Sequence, residues 1–187
     1  MIYEFCAENV TLLEKAMQAG ARRIELCDNL AVGGTTPSYG VTKAAVELAS
    51  DYDTTIMTMI RPRGGDFVYN DLEISIMLED IRVTAQAGSQ GVVFGALTAD
   101  KKLDKFNLEK LIAASKGMEI VFHMAFDDLS DEDQLEAIDW LSHAGVTRIL
   151  TRAGVSGDSL EKRFEHYRRI LEHAAGKIEI LPGGGID

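Results

Sequence analysis

The segment AGARRIEL at residues 19–26 joins a helical pattern to a strand-like run, and the same junction returns twice along the chain. AGSQGVVF occupies residues 87–94, and AGVTRILT occupies residues 144–151. In each copy an alanine and a glycine end the helical pattern, because glycine readily adopts the left-handed conformation that follows a helix. A short apolar run then follows, as expected of a buried strand. The repeat predicts a chain built from βα units of roughly 30 residues.

Seven strand-like runs can be placed along the sequence. They lie at residues 2–6, 23–27, 54–60, 91–94, 119–123, 148–151 and 178–181. Helical patterns separate them, and the acidic stretch after Ser130 reads as a helix N-cap with its first turn. Such regular alternation predicts parallel strands joined by crossover helices.

Two folds fit this alternation, a doubly wound open sheet and a (β/α)8 TIM barrel. Polar residues follow nearly every predicted strand, which favours the barrel, because all of its strands contribute to one mouth. The first loop, at residues 7–9, also lacks a glycine-rich dinucleotide motif. We therefore predict one TIM-barrel domain over residues 1–187. The sequence ends just after the seventh strand, so we expect the natural protein to continue through an eighth.

Composition narrows the class of protein. The 187 residues carry a formal net charge of −11, which repels nucleic-acid backbones. The sequence contains no run of about 18 apolar residues, the length that would predict a transmembrane helix. The amino terminus does not resemble a signal peptide. We expect a cytoplasmic protein without nucleic-acid or membrane partners, in which the two cysteines stay reduced.

Those two cysteines occupy matched positions in the first two predicted strands. Glu4 precedes Cys6 by two residues, and Glu25 precedes Cys27 by two residues. Residues two apart in a strand project to the same side, so each cysteine shares its face with a carboxylate. The repeated pair indicates a site at the strand ends.

Six motifs, in order, resemble the CutC family, whose members are described as copper homeostasis proteins. They are EFCAEN, RIELCDNLAVGGTTPS, MIRPRGGDFVY, FHMAFD, RILT and ILPGGGI. The resemblance implies a (β/α)8 barrel, a cytoplasmic location, a homo-oligomer and binding of copper(I). The copper ligands that the family implies match Cys6 and Cys27.

Thiolate chemistry is consistent with copper(I) binding by the two cysteines but does not establish it. Soft sulfur ligands suit Cu(I), and inward-facing cysteines of neighbouring strands could converge. However, barrel shear can place such residues in different layers, and free cysteine is often simply a small buried residue. The sequence leaves both interpretations open.

The carboxylates and two arginines form a second candidate group. A glutamate on the inward side of an apolar strand is costly to bury unless it is paired. Arg61 and Arg63 follow the third strand and could pair with Glu4 and Glu25, or bind an anionic ligand. A purely structural salt-bridge cluster is the alternative.

His123 and Asp127 follow the fifth strand. Their spacing suits a general acid or base, or a ligand histidine oriented by a carboxylate, and a buried structural histidine is the alternative. No His-x-x-x-His or Cys-x-x-Cys spacing signals a zinc site. After the seventh strand, Gly183, Gly184 and Gly185 lie where many barrels bind phosphate on backbone amides.

Two functional hypotheses remain. The first is a copper(I)-binding protein with Cys6 and Cys27 as ligands. The second is a barrel enzyme acting on a small phosphorylated or carboxylated metabolite. Its anion-binding residues would be Arg61, Arg63 and Gly183 to Gly185, and its proton-transfer residues Glu4, Glu25, His123 or Asp127.

Overall fold

The computed structural model describes residues 2–154 and 157–184, and within them seven strands alternate with six α-helices. The strands are β1 (Glu4–Glu8), β2 (Arg23–Cys27), β3 (Thr55–Met59), β4 (Gly91–Phe94), β5 (Glu119–Phe122), β6 (Arg148–Thr151) and β7 (Glu179–Pro182). The helices are α1 (Leu13–Gln18), α2 (Tyr39–Ala49), α3 (Asp71–Ala87), α4 (Lys105–Ala114), α5 (Asp131–Ala144) and α6 (Leu160–Ala174). Two 3₁₀ turns, Leu30–Val32 and Met124–Asp128, follow β2 and β5.

All neighbouring strands pair in parallel, in the order β1-β2-β3-β4-β5-β6-β7. The sheet curls strongly, since Arg23 on β2 lies 3.7 Å from Glu179 on β7. Helices connect successive strands, as the parallel pairing requires. The result is a TIM-barrel-like half-barrel, which confirms the predicted fold class.

Side-chain alternation explains which strand face packs against the helices. On β2, Ile24 and Leu26 are fully buried in a cluster that includes Leu13 and Met17 of α1. The opposite faces of the strands form a separate interior cluster, which includes Cys27, Met57, Met59, Val93, Val121 and Leu150. Parallel strands buried on both faces read as continuous apolar runs, which is why the sequence revealed them.

Helix termini follow the expected chemistry. The Ser130 hydroxyl accepts a hydrogen bond from the Asp133 amide and caps α5, as predicted. Asn70 and Glu73 form a reciprocal capping box at the start of α3. Gly88 and Gly145 end α3 and α5 with φ near +90°, the left-handed region that glycine enters without steric cost. No helix in the described ranges is long and apolar enough to cross a membrane.

A cluster of charged side chains fills the amino-terminal end of the half-barrel. Arg23 bonds Glu4, and Arg148 bonds both Glu119 and, at 2.9 Å, Glu179. Both arginine side chains are almost fully buried. We call these five residues the amino-end charge cluster. It pairs the two buried guanidinium groups with carboxylates from three different strands, β1, β5 and β7.

This cluster corrects two predictions about the first strand. The predicted run was 2–6, whereas β1 is Glu4–Glu8, so Glu4 opens the strand and does not lie near its carboxyl end as predicted. Glu4 therefore pairs with Arg23, and its predicted pairing with Arg61 or Arg63 is wrong. The shift arises because Ala7 and Glu8 pair with Leu26 and Cys27 of β2, a contact that local hydrophobicity does not encode.

Candidate functional site

Three potential ligand groups meet on β1 and β2. The Sγ atoms of Cys6 and Cys27 and a carboxylate oxygen of Glu25 all lie within 4.8 Å of one another. Cys27 and Glu25 are buried, whereas Cys6 is exposed. We call this group the Cys-Glu-Cys cluster. Its exposed thiol provides access from solvent, and its other two members lie in the interior.

The strand register explains how the two sulfurs meet. Cys6 pairs with Glu25 across the ladder, and Cys27 pairs with Glu8, so the cysteines are two residues apart along the strand direction. Both nevertheless project to the interior face. The offset that barrel shear imposes is therefore small enough for the two side chains to approach each other.

Burial and mutual hydrogen bonding set the protonation of the cluster. A hydrogen bond from the Cys27 thiol lowers the pKa of Cys6 to about 7 against the opposing effect of burial, and Glu25 assists. The same hydrogen bond and burial raise the pKa of Cys27 far above that of a free thiol. Burial raises the pKa of Glu25 well above its ordinary value. The cluster thus holds one accessible thiol with a pKa of about 7, one thiol with a much higher pKa, and one carboxyl group whose pKa is raised.

The surroundings of Cys27 are closely packed. A Cβ on Gly34 would lie 3.1 Å from the Cys27 sulfur, and Gly34 has a φ of +85°. Met57 and Met59 are buried in the same interior cluster as Cys27. Backbone from the loop after β2 therefore covers one side of the sulfur, and thioether side chains pack near it.

Arg61 lies just after β3 and is only 4% exposed. Its Nη1 donates to the carbonyls of Val32 and Gly34, each at 3.0 Å, and its Nη2 donates to the carbonyl of Gly65 at 2.6 Å. These bonds hold the loop after β2 against the loop after β3. Arg61 does not form an ion pair with Glu25, which was one of its predicted partners: within residues 2–154 and 157–184, neither residue takes part in a salt bridge.

Arg63 has a different environment from Arg61. Its Nε donates to Glu73 at 2.5 Å, and its Nη2 donates to Asp66 at 3.0 Å and to the Val68 carbonyl at 2.7 Å. The side chain is 38% exposed. Arg63 therefore ties its own loop to the start of α3, and its guanidinium already has carboxylate partners.

His123 and Asp127 do not form the predicted pair. The Nδ1 atom of His123 accepts a hydrogen bond from the Ala125 amide at 3.2 Å. Asp127 instead accepts hydrogen bonds from the Thr151 hydroxyl and the Arg152 amide. Burial lowers the pKa of His123 to about 3 and raises that of Asp127. The 3₁₀ turn after β5 directs the two side chains to different partners, so Asp127 does not orient the histidine.

The glycines after β7 are partly engaged with other groups. The Gly183 amide donates to the Thr151 carbonyl at 2.9 Å, so this N–H is not available to an anion. The Gly184 carbonyl accepts from Arg163 at 3.2 Å. Gly185 lies outside the described residues.

A surface cleft of about 330 Å³ lies beside α2 and α3. Its lining includes Ser38, Thr42, Asp80 and Thr84, and it contains neither cysteine. The cleft is therefore separate from the Cys-Glu-Cys cluster.

The structure thus divides the sequence-predicted residues into several groups. It brings together Cys6, Glu25 and Cys27, and it places Glu4 in the amino-end charge cluster. Arg61 and His123 both contact Phe67, a residue that no sequence pattern distinguishes. The signal for Phe67 was weak, since an aromatic residue in a glycine-rich loop is not distinctive by itself.

Comparisons with known proteins agree with this architecture. A protein of the CutC family from Enterococcus faecalis is 53% identical over 186 residues, covering 100% of this chain and 89% of that protein. A human copper homeostasis protein cutC homolog is 40% identical over 185 residues, covering 99% of this chain and 65% of that protein. The crystal structure of CutC from Streptococcus agalactiae matches with a TM-score of 0.95 at 46% identity, covering 100% of this chain and 89% of that one.

More distant structures share only the fold. Deoxyribose phosphate aldolase from Aeropyrum pernix matches with a TM-score of 0.70 at 14% identity, covering 99% of this chain and 76% of that one. The sequence model of the CutC family matches residues 1–187. Together with the relatives at 40–53% identity, this match shows that the chain belongs to the CutC family.

Proposed function

We propose that this protein binds Cu(I) through Cys6 and Cys27 and acts in cytoplasmic copper homeostasis. The convergence of the Cys-Glu-Cys cluster within 4.8 Å is the observation that carries the proposal. The role in copper homeostasis rests on the names of its relatives. Two thiolates match the preference of Cu(I) for soft ligands, and reducing conditions in the cytoplasm favour that oxidation state.

The protonation of the cluster suits reversible binding. Cys6 is exposed and its pKa is about 7, so it is the thiolate that would first meet an incoming ion. Cys27 would then bind after losing its proton, because metal binding displaces protons from ligands. Glu25 lies within reach of both sulfurs, and its carboxyl group supports the Cys6 thiolate through a hydrogen bond.

Chelator competition under anaerobic, reducing conditions tests this proposal. The protein should take up one Cu(I) ion and show an ultraviolet thiolate-to-copper charge-transfer band. Cys6→Ser and Cys27→Ser should each abolish stoichiometric binding. Met59→Leu is the matched control, because it replaces a buried sulfur in the same interior cluster with a side chain of similar volume. Full binding by the double cysteine variant would contradict the proposal.

We further propose that the protein is a homo-oligomer. Leu160, Phe164 and Leu171 lie on one face of α6 and are all more than half exposed, so this helix presents an apolar stripe to solvent. A second copy of the chain is a suitable cover for this apolar stripe. Light scattering of the wild type should give a mass above that of one chain, and Phe164→Glu should reduce it. A wild-type mass equal to one chain would refute this.

A further inference from the structure

Arg61 is a buried cation that has no carboxylate partner in a salt bridge within residues 2–154 and 157–184. Three backbone carbonyls accept hydrogen bonds from its Nη atoms, but its Nε atom is buried without any hydrogen-bond partner. An uncompensated guanidinium in the interior is costly, and carbonyl dipoles only partly offset its charge. The edge of the guanidinium that includes Nε is the edge on which arginine binds carboxylate and phosphate oxygens.

His123 offers a second unused donor nearby. Because its Nδ1 accepts the Ala125 amide proton, the neutral ring must carry its own proton on Nε2. That Nε2 atom is buried and has no hydrogen-bond partner, and the residue is 3% exposed. An N–H donor is thus held inside the barrel without an acceptor.

Phe67 links the two groups in space. The guanidinium carbon of Arg61 lies 4.9 Å from the Phe67 ring centroid, and the His123 ring centroid lies 4.8 Å from the same ring. Tyr69 is a third group in this region, since its pKa responds to the nearby Arg61 guanidinium, and its buried hydroxyl has no hydrogen-bond partner of ordinary geometry. Arg61 and His123, from the segments that follow β3 and β5, therefore lie against the same aromatic ring, and Tyr69 follows in the loop after β3. All three are on the carboxyl-terminal side, where barrels hold their ligands.

We propose that Arg61, His123 and Tyr69 form a binding site for one oxyanion, the carboxylate or phosphate group of a small metabolite. An oxyanion satisfies all three donors and neutralises the guanidinium. A bound water molecule would satisfy donors but leave the charge uncompensated, and the arginine disfavours a metal cation. This site is distinct from the Cys-Glu-Cys cluster and does not require copper.

The neutral histidine makes the site directly observable. The chain contains four histidines, so the side-chain ¹⁵N–¹H correlation spectrum is simple. Inorganic phosphate and oxalate should be titrated separately into the wild-type protein at constant pH and ionic strength. We expect a saturable shift of the His123 Nε2–H signal, with His143, His166 and His173 unchanged. A response to phosphate alone identifies phosphate as the ligand group, and a response to oxalate alone identifies carboxylate.

Charge variants distinguish binding at this site from general electrostatic attraction of anions to the protein. Arg61→Gln should lower the affinity for the anion by at least about tenfold, the effect of losing a charged hydrogen bond. Arg82→Gln removes the same charge from the exposed surface of α3 and should leave the affinity unchanged. Tyr69→Phe removes only a hydroxyl group and should weaken binding several-fold in a folded protein, which covers the case in which Arg61→Gln fails to fold.

Two results would overturn the proposal. One is the lack of any saturable His123 response to either anion, and the other is an equal loss of affinity in Arg61→Gln and Arg82→Gln. The double Cys6→Ser, Cys27→Ser variant should keep the anion response, so failure of copper binding and failure of this site can be told apart.

Discussion

The affinity for Cu(I) is expected to rise with pH, and to rise more steeply below pH 7 than above it. The pKa of Cys6 is lowered to about 7, mainly by the hydrogen bond from Cys27, whereas Cys27 stays protonated far above neutrality. Binding through two thiolates therefore releases one proton when Cys6 is already ionised and two protons when it is not. Protons compete with the metal, so lower pH weakens binding.

The magnitude follows from the number of protons released. Each released proton changes the affinity by about tenfold per pH unit, so the slope is about tenfold above pH 7 and about a hundredfold below it. Between about pH 6 and pH 8, the proton released by Cys27 accounts for an increase in Cu(I) affinity of about a hundredfold, and the ionisation of Cys6 for about a further tenfold. The total increase is about a thousandfold.

Chelator competition at half-unit pH steps, corrected for protonation of the chelator, measures this profile. Glu25→Gln retains a hydrogen-bond donor beside Cys6 and should preserve the change of slope near pH 7. Glu25→Ala removes that donor and should move the change of slope to higher pH. A pH-independent affinity, or a single slope with no break, would refute the assigned protonation of the two thiols.

Three further predictions concern stability and reactivity. Arg148→Ala should lower the free energy of unfolding by about 2–3 kcal/mol in urea denaturation, because it removes a buried guanidinium bonded to two carboxylates. The control Arg82→Ala should lower it by less than about 0.5 kcal/mol, because that ion pair is exposed. Equal losses would contradict the importance of the amino-end charge cluster. Gly34→Ala should lower the free energy of unfolding by about 1–3 kcal/mol, because Gly34 has a left-handed backbone conformation. It should also weaken Cu(I) binding, because the added methyl group would crowd Cys27. Unchanged stability and unchanged copper affinity would contradict the close packing there. Iodoacetamide should alkylate Cys6 with a midpoint near pH 7 while Cys27 remains unreacted in the folded state, and a midpoint near that of a free thiol would contradict the lowered pKa.

The sequence predicted the fold well because each βα unit carries its own signal. The strands at residues 23–27, 91–94 and 148–151 have the predicted limits, since each follows an alanine-glycine or short polar junction and is buried on both faces. The first strand was misplaced by two residues. Its limits depend on pairing with β2, and no local pattern contains that information.

The site residues show the same division between local and long-range information. Period-two spacing placed Glu25 on the same face as Cys27, because side-chain direction along a strand is a local property. The approach of Cys6 to Glu25 depends instead on the pairing of β1 with β2. Charge partners were not predictable in this way. Arg61 bonds carbonyls from two loops, and Asp127 bonds Thr151 rather than His123. Those contacts depend on loop conformations that bring distant segments together.

Copper K-edge X-ray absorption on the protein loaded with one equivalent of Cu(I) tests the central claim most directly. Binding by the Cys-Glu-Cys cluster predicts a Cu(I) edge and a first shell of two sulfur atoms, contributed by Cys6 and Cys27. The double Cys→Ser variant should lose that shell. A first shell of nitrogen or oxygen in the wild type, or a sulfur shell that survives in the double variant, would contradict the account.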